Sequence, residues 1–270
     1  MMEHPVRIAA IIPARMASSR FPGKPLLPIR GLPMVEHVRR RALLCGGLSD
    51  VVVATCDREI ASVVEGYGGT AVLTSPSHPG ATDRVAEAAR QLQCTHVINV
   101  QGDELLVLPA HLARMVQAMT AAPEVLAWNA VAKIARAEAL SDPSIVKCVV
   151  SLSGRILFCA RRFPRSEDHR NGSGPVRIVL GVLGYHRAFL DRYSALGRAP
   201  LETAEAIDQL RIIEHDVALR SVELPAGYPG INEPREVAVV ERVLDEDPAQ
   251  QAVLRQILSL DAAMARPVSQ

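Results

Sequence analysis

Aromatic residues make up only 3% of this 270-residue chain, with one tryptophan, four tyrosines and four phenylalanines. Its core must therefore rest on Val, Leu, Ile and Ala, and a hydrophobic share of 49% supplies enough of them. An excess of charge is missing too: 30 Lys and Arg stand against 29 Asp and Glu, a net +1. That balance argues against a general binder of nucleic acid or membrane surfaces and makes any cationic patch local. The five cysteines, Cys45, Cys56, Cys94, Cys148 and Cys159, form no C-x-x-C pair. An odd, scattered set reads as reduced thiols in a cytoplasm, not as a disulfide frame or zinc site. The eight histidines show no metal-ligand spacing, and none sits beside a Ser or Cys in a triad-like arrangement. A G-x-G-x-x-G fingerprint is absent, which counts against a dehydrogenase. No apolar run reaches the roughly 18 residues of a membrane helix. Ile8–Ile12 is too short for a secretory signal and lacks a small-residue cleavage site. A soluble, cytoplasmic protein with no nucleic-acid or membrane partner is expected.

What is present is alternation. Strand-like runs at Ile8–Ile12, Val51–Thr55, Ala71–Leu73 and His96–Val100 are separated by helix-like stretches. Met34–Leu44 and Glu59–Tyr67 carry apolar residues at helical spacing, the second stopping at Gly68-Gly69. Thr82–Leu92 is a candidate amphipathic helix with Thr82 or Asp83 as N-cap, and Pro109–Met119 opens on a proline. Beyond about residue 125 the runs Val125–Val131, Val146–Leu152, Ile156–Cys159 and Ile178–Tyr185 have fewer helices between them. Glu202–His215 and Glu233–Leu244 read as helices. The fold class predicted is α/β: a three-layer, Rossmann-like sheet, mainly parallel with a mixed C-terminal extension. One domain over residues 1–262 is expected, with 6–125 as its first half, 126–245 as its second and 263–270 as a frayed tail. Residues 161–176 read as a polar loop.

Ligands of such sheets bind beyond the carboxyl ends of strands. The first apolar strand empties into Pro13-Ala14-Arg15-Met16-Ala17-Ser18-Ser19-Arg20-Phe21-Pro22-Gly23-Lys24-Pro25-Leu26, a loop rich in cations, serines and turn residues. Arg15, Arg20 and Lys24 fit a polyphosphate, arginine as a bidentate donor and lysine as a point charge. Solvated loop charges are the plainer alternative. Asp103, after the strand ending at Val100 and behind Gln101-Gly102, either caps a helix or offers Mg²⁺ a hard oxygen where phosphates fill the other positions. Thr82 and Asp83 open a helix, and capping alone could explain them. Glu205 and Gln209, four apart, share a helix face that is solvated or ligand-facing.

These segments resemble the signature of the CMP-Kdo synthetases, cytidylyltransferases that activate 3-deoxy-manno-octulosonate (Kdo). The cationic loop is followed in order by Thr74-Ser75-Pro76 with Thr82-Asp83-Arg84, then by Val100-Gln101-Gly102-Asp103-Glu104. Next come Pro200-Leu201-Glu202 with Glu205 and Gln209-Leu210-Arg211, and finally Gly230-Ile231 with Pro234. The resemblance spans roughly residues 6–245. It implies CTP held by Pro13, Ala14, Arg15, Ser19, Lys24, Ser75, Thr82, Asp83, Arg84, Gln101 and Asp103. Arg15, Lys24 and Asp103 would act in catalysis, with Mg²⁺ on Asp103 and Asn232. It also implies a homodimer, and acceptor contacts from Arg20, Gln101, Tyr185, Glu205 and Gln209.

Three departures bear on the acceptor. The family's sugar-contacting histidine and first tyrosine correspond to Val179 and Leu183. Its second metal-binding aspartate corresponds to Asn232, with Glu233 next to it. Arg161, Arg162, Arg165, Arg170 and Arg177 make one segment arginine-dense, and Arg161 and Arg165 join the acceptor candidates. A phosphonate is already an anion at neutral pH and needs less activation than a hemiketal hydroxyl. The departures therefore favour a small anionic acceptor such as phosphonoformate, as in divergent relatives that cytidylylate phosphonates. Kdo or its amino variant is the alternative. A CTP-binding regulatory protein without catalysis, or a transferase using another nucleotide, are readings from other classes.

Overall fold

The computed structural model describes residues 5–18, 20–134, 137–163 and 174–264. Strand β1 (Ile8–Ala14) leads through a loop to a short hairpin, β2 (Pro28–Ile29) and β3 (Leu32–Pro33). Helix α1 (Met34–Leu43), β4 (Leu48–Thr55), α2 (Arg58–Gly66), β5 (Thr70–Leu73) and α3 (Ala81–Ala89) follow. Then come β6 (His96–Val100), α4 (Pro109–Ala121), β7 (Ala127–Lys133), β8 (Lys147–Val150), β9 (Arg155–Ala160) and β10 (Val176–His186). Helices α5 (Arg187–Tyr193), α6 (Pro200–Glu205) and α7 (Asp208–Glu214) precede β11 (Leu219–Leu224), α8 (Val237–Glu246) and α9 (Pro248–Met264). The expected α/β architecture is present, with a mixed sheet and helices around it.

The chain forms two compact units that interleave along the sequence. One, the β1 unit, gathers residues 9–92, 100–113 and those from Tyr228 on; the other, the β10 unit, holds residues up to 8, 93–99 and 114–227. In the β1 unit the strand order is β5-β4-β1, with β4 and β5 parallel. Every residue of β1 is buried, as an apolar run flanked by other strands requires. Helix α2 ends where expected: Gly68, at φ 68, donates to Glu65 O and Gly69 to Val64 O. Helix α1 turns basic residues inward. Its Glu36 is fully buried and takes two bonds from Arg39 (2.6 and 2.8 Å) and one from Arg40 (3.1 Å). Arg40 also donates to Ile257 O of α9 at 2.7 Å and lies over the Tyr67 ring.

In the β10 unit β11 runs parallel to β7, whereas β10 is antiparallel to β7 and to β8. With β8–β9 and β9–β11 also antiparallel, the pairings close a ring: β7, β10, β8, β9, β11 and back to β7. A register shift between Val179 and Leu183 bends β10 so that one long strand serves both neighbours. Cys148 and Cys159 face each other across β8–β9, and both are buried free thiols. Burial pushes Cys148 up to about 12 and Cys159 up as well.

The structure corrects several local readings. Glu205 and Gln209 do not share a helix: Ala206, at φ 52, ends α6, and α7 starts at Asp208. Neither Thr82 nor Asp83 is an N-cap; Gly80 takes that place and both lie in the first turn of α3, buried. Strand β11 and helix α9 are additions to the sequence pattern. The tail and most of the arginine-rich loop fall outside the described residues, as do Ser19, Arg165 and Arg170.

What locks α6 onto α7 is a buried ion pair. Arg211 donates from Nε (2.8 Å) and Nη2 (2.6 Å) to the two oxygens of Glu202, which is 1% exposed. Its guanidinium also stacks on the Tyr193 ring at 4.4 Å. Burial raises the Glu202 carboxyl, but bonds from Arg211, the Ala199 amide and Arg198 outweigh it and hold it below the usual carboxylate range. Glu202→Ala leaves Arg211 buried without its partner, and urea denaturation at neutral pH should show a loss of about 3–5 kcal/mol. A depressed carboxyl contributes stability above its unfolded pKa and loses it as pH falls through the folded one. The gap between wild type and variant should therefore shrink in acid.

Candidate active site

Three segments of the β1 unit meet through bare backbone. A Cβ on Gly102 would lie 2.8 Å from Pro13 O, and one on Gly230 would lie 2.8 Å from Asp103 O. The turn after β6 thus sits directly on the end of β1, and residues 230–232 sit directly on the turn. The cationic loop is pinned separately. The Met16 amide donates to Asp57 Oδ2 at 2.8 Å, and Met16 O accepts from Ser18 N and Gly23 N at 2.8 and 3.0 Å. Gly23, at φ 76 and ψ −1, follows Pro22 in a type II turn closed by Lys24 N donating to Phe21 O at 3.3 Å.

The end of β1, the cationic loop, the start of α3 and the turn after β6 enclose a cleft of about 240 Å³. Of the residues singled out from sequence, Pro13, Ala14, Arg15, Arg20, Lys24, Arg84, Gln101 and Asp103 line it. Lys24 is only 15% exposed; its ammonium donates to Ile231 O at 2.8 Å and lies 3.5 Å from Asp103 Oδ2. Asp103 caps no helix, since α4 starts at Pro109, and Lys24 is its one side-chain contact among the described residues. Arg20 Nη2 donates to Asn232 Oδ1 at 2.9 Å. Arg15 is exposed, and its guanidinium has no partner among the described residues. Arg84 is buried and donates to the Thr74 hydroxyl and, at 3.3 Å, to Ser75 O.

Other candidates lie elsewhere. Ser75 is outside the lining: its amide donates to Glu87 Oε2 at 2.8 Å and its hydroxyl pairs with that of Ser77. Glu87 also holds His78; burial raises its carboxyl, but the bonds from His78 and the Ser75 amide leave it below the usual range. Glu233 pairs with Arg235 at 2.9 Å. Tyr185, Arg161, Glu205 and Gln209 belong to the β10 unit. There Tyr185 is fully buried, its ring among those of Phe189 and Tyr193. Arg161 donates to the carbonyls of Pro143, Glu205 and Ala206, and its amide to Glu205 Oε2. Gln209 donates to Asn129 Oδ1 at 2.8 Å. Gly80, Ala81, Val35 and Ser18 also line the cleft and were not foreseen; small or apolar side chains carry no chemical signal in sequence.

Four cations and one carboxylate line the cleft, a balance that suits a polyphosphate. Among the described residues no cluster of three or more His, Cys, Asp or Glu could hold a metal by itself. Asp103 and the Asn232 carbonyl are oxygen donors of the kind Mg²⁺ takes, since that ion needs one or two from protein and fills the rest with water and phosphate.

Comparison with known proteins agrees with this chemistry. The sequence model of the cytidylyltransferase family matches residues 9–219. A 3-deoxy-manno-octulosonate cytidylyltransferase of Syntrophobacter fumaroxidans is 39% identical over 90% of this chain and 98% of its own length. An 8-amino-3,8-dideoxy-manno-octulosonate cytidylyltransferase of Shewanella piezotolerans is 36% identical over 90% of this chain and 100% of its own length. The structure of a CMP:2-keto-3-deoxy-manno-octonic acid synthetase complexed with CTP superposes with a TM-score of 0.82, at 34% identity, over 89% of this chain and 99% of that one. The chain belongs to the cytidylyltransferase family, within its CMP-Kdo synthetase group, and is a nucleotidyltransferase. No helix among the described residues is long and apolar enough to cross a membrane.

The bare contact at Gly102 is testable without any ligand. In Gly102→Ala the new methyl meets backbone, not a flexible side chain, so differential scanning calorimetry should show destabilisation of about 1–3 kcal/mol.

Proposed function

We propose that this enzyme transfers CMP from CTP to Kdo or a close sugar-acid relative and releases pyrophosphate. The observation that carries the reading is near full-length identity of 36–39% to enzymes named for octulosonate acceptors. The phosphonate acceptor gives way to this alternative. Two of the arginines behind it are engaged within the β10 unit: Arg161 as described, and Arg177 with Glu223 at 2.9 Å and Gly174 O at 2.5 Å.

In this reading the acceptor hydroxyl attacks the α-phosphorus in line and the bond to the β-phosphate breaks. Lys24 is held on one side by Ile231 O and Asp103, so a remaining N–H points its charge at the phosphates. Arg15 supplies bidentate phosphate contact, and Arg84 orders the Thr74–Ser75 backbone beside the base. Gln101 and Arg20 face the acceptor side of the cleft. Asp103 and Asn232 would hold Mg²⁺, which when bound neutralises phosphate charge and eases loss of the acceptor proton. A homodimer, as the family resemblance implies, belongs to the same proposal.

Three experiments test it. With CTP, pyrophosphate release should be faster with Kdo than with phosphonoformate, and UTP should not replace CTP; the reverse acceptor order would restore the phosphonate reading. Asp103→Asn should lower turnover roughly a hundredfold or more while leaving the melting temperature within a few degrees. Lys24→Ala should weaken CTP binding in calorimetry by about 1.5–3 kcal/mol, the worth of a charge-assisted hydrogen bond.

A further inference from the structure

We infer that Glu236, which lines no part of the cleft, is a positioning residue that sets the Lys24 ammonium for the nucleotide through the Gly230–Glu233 loop; this rests on the reading of the cleft as the CTP site. One carboxylate oxygen, Glu236 Oε2, accepts from two successive amides, Asn232 N at 2.5 Å and Glu233 N at 2.9 Å. The Glu236 amide in turn donates to Glu233 O at 3.0 Å, closing a short helical turn at Pro234–Glu236. Residues 232 and 233 are thereby fixed at their peptide groups. The neighbouring groups of the same loop hold the cations: Ile231 O takes the Lys24 ammonium and Asn232 Oδ1 takes an Arg20 nitrogen. Gly230 seats the other end of the loop on the Asp103 backbone, where no side chain fits.

The chain of contacts that bears on the nucleotide runs from the Glu236 carboxylate to the loop amides, from Ile231 O to Lys24, and from Lys24 to phosphate. A lysine has a long, flexible stem, and its charge is worth most where its head is held in advance. Ile231 O does the holding, but a carbonyl is placed only as well as its peptide. Glu236 is half-buried and outside the hydrophobic core, so the contacts it makes are local to this loop. What it supplies is a pair of acceptor bonds, not charge at the phosphates.

The test is a double-mutant cycle on CTP affinity, measured by titration calorimetry with Mg²⁺ and CTP on the full chain, with thermal melts alongside. Glu236→Ala is expected to weaken CTP binding about fivefold to tenfold in the wild-type background and less than twofold in the Lys24→Ala background. Glu236→Gln, whose amide oxygen still accepts both amides, should stay within about twofold of wild type. An equal loss in both backgrounds, a Glu236→Gln variant as impaired as Glu236→Ala, or an unaffected Glu236→Ala overturns the proposal. If the wild-type chain itself fails to bind CTP, the reading of the cleft falls, and this inference with it.

Discussion

The site depends on backbone lying against backbone. Gly102 on Pro13 and Gly230 on Asp103 bring together the end of β1, the turn after β6 and the loop before α8 at distances no Cβ tolerates. Once those three segments touch, polar groups from far-apart stretches of sequence fall within hydrogen-bond reach. Lys24 meets Asp103 and Ile231 O, and Arg20 meets Asn232. The side chains supply the chemistry, and the absence of side chains at the two glycines allows them to converge.

The two units solve different packing problems. The β1 unit buries a fully apolar strand and pairs the inward-turned Arg39 and Arg40 of α1 with Glu36 and, for Arg40, with a carbonyl of α9. The β10 unit closes its strands into a ring, so several pairings that would otherwise end at an open edge find partners. Several of its interior polar groups are paired: Glu202 with Arg211, Gln209 with Asn129, and the buried Lys147 ammonium with carbonyls of Asp142, Ile145 and Arg161. Desolvation lowers the Lys147 pKa, and those carbonyls keep its ammonium bonded out of water.

Much of this is legible in the sequence wherever pattern and physics coincide. His96–Val100 reads as a strand because β-branched Val97, Ile98 and Val100 stand in a short run ahead of Gln101-Gly102, and the structure gives it those bounds. Most of the cationic loop reads as a ligand site because charge and turn residues cluster at one strand end, and Arg15, Arg20 and Lys24 all line the cleft. The break between α6 and α7 is not legible: Ala206, a strong helix former, adopts φ 52 inside a stretch of good helix residues. Nor is the role of Ile231, whose contribution is a carbonyl that every residue carries. The arginine-dense segment misleads for a related reason. Composition counts charges, but only geometry reveals that Arg161 and Arg177 already have acceptors.

The hydrogen bond from Lys24 to Ile231 O joins positions 207 residues apart, with nearly all of the β10 unit encoded between them. During synthesis the ribosome therefore releases the phosphate-facing lysine long before the carbonyl that steadies it exists. An N-terminal nascent chain has the cationic loop and the turn of Asp103 but not the loop that seats upon them. Ordered domain-by-domain folding, in which an early segment finishes before the next emerges, is closed to the β1 unit. Its completion waits for the residues from Tyr228 on, and premature termination anywhere before Ile231 leaves Lys24 without the carbonyl that holds it.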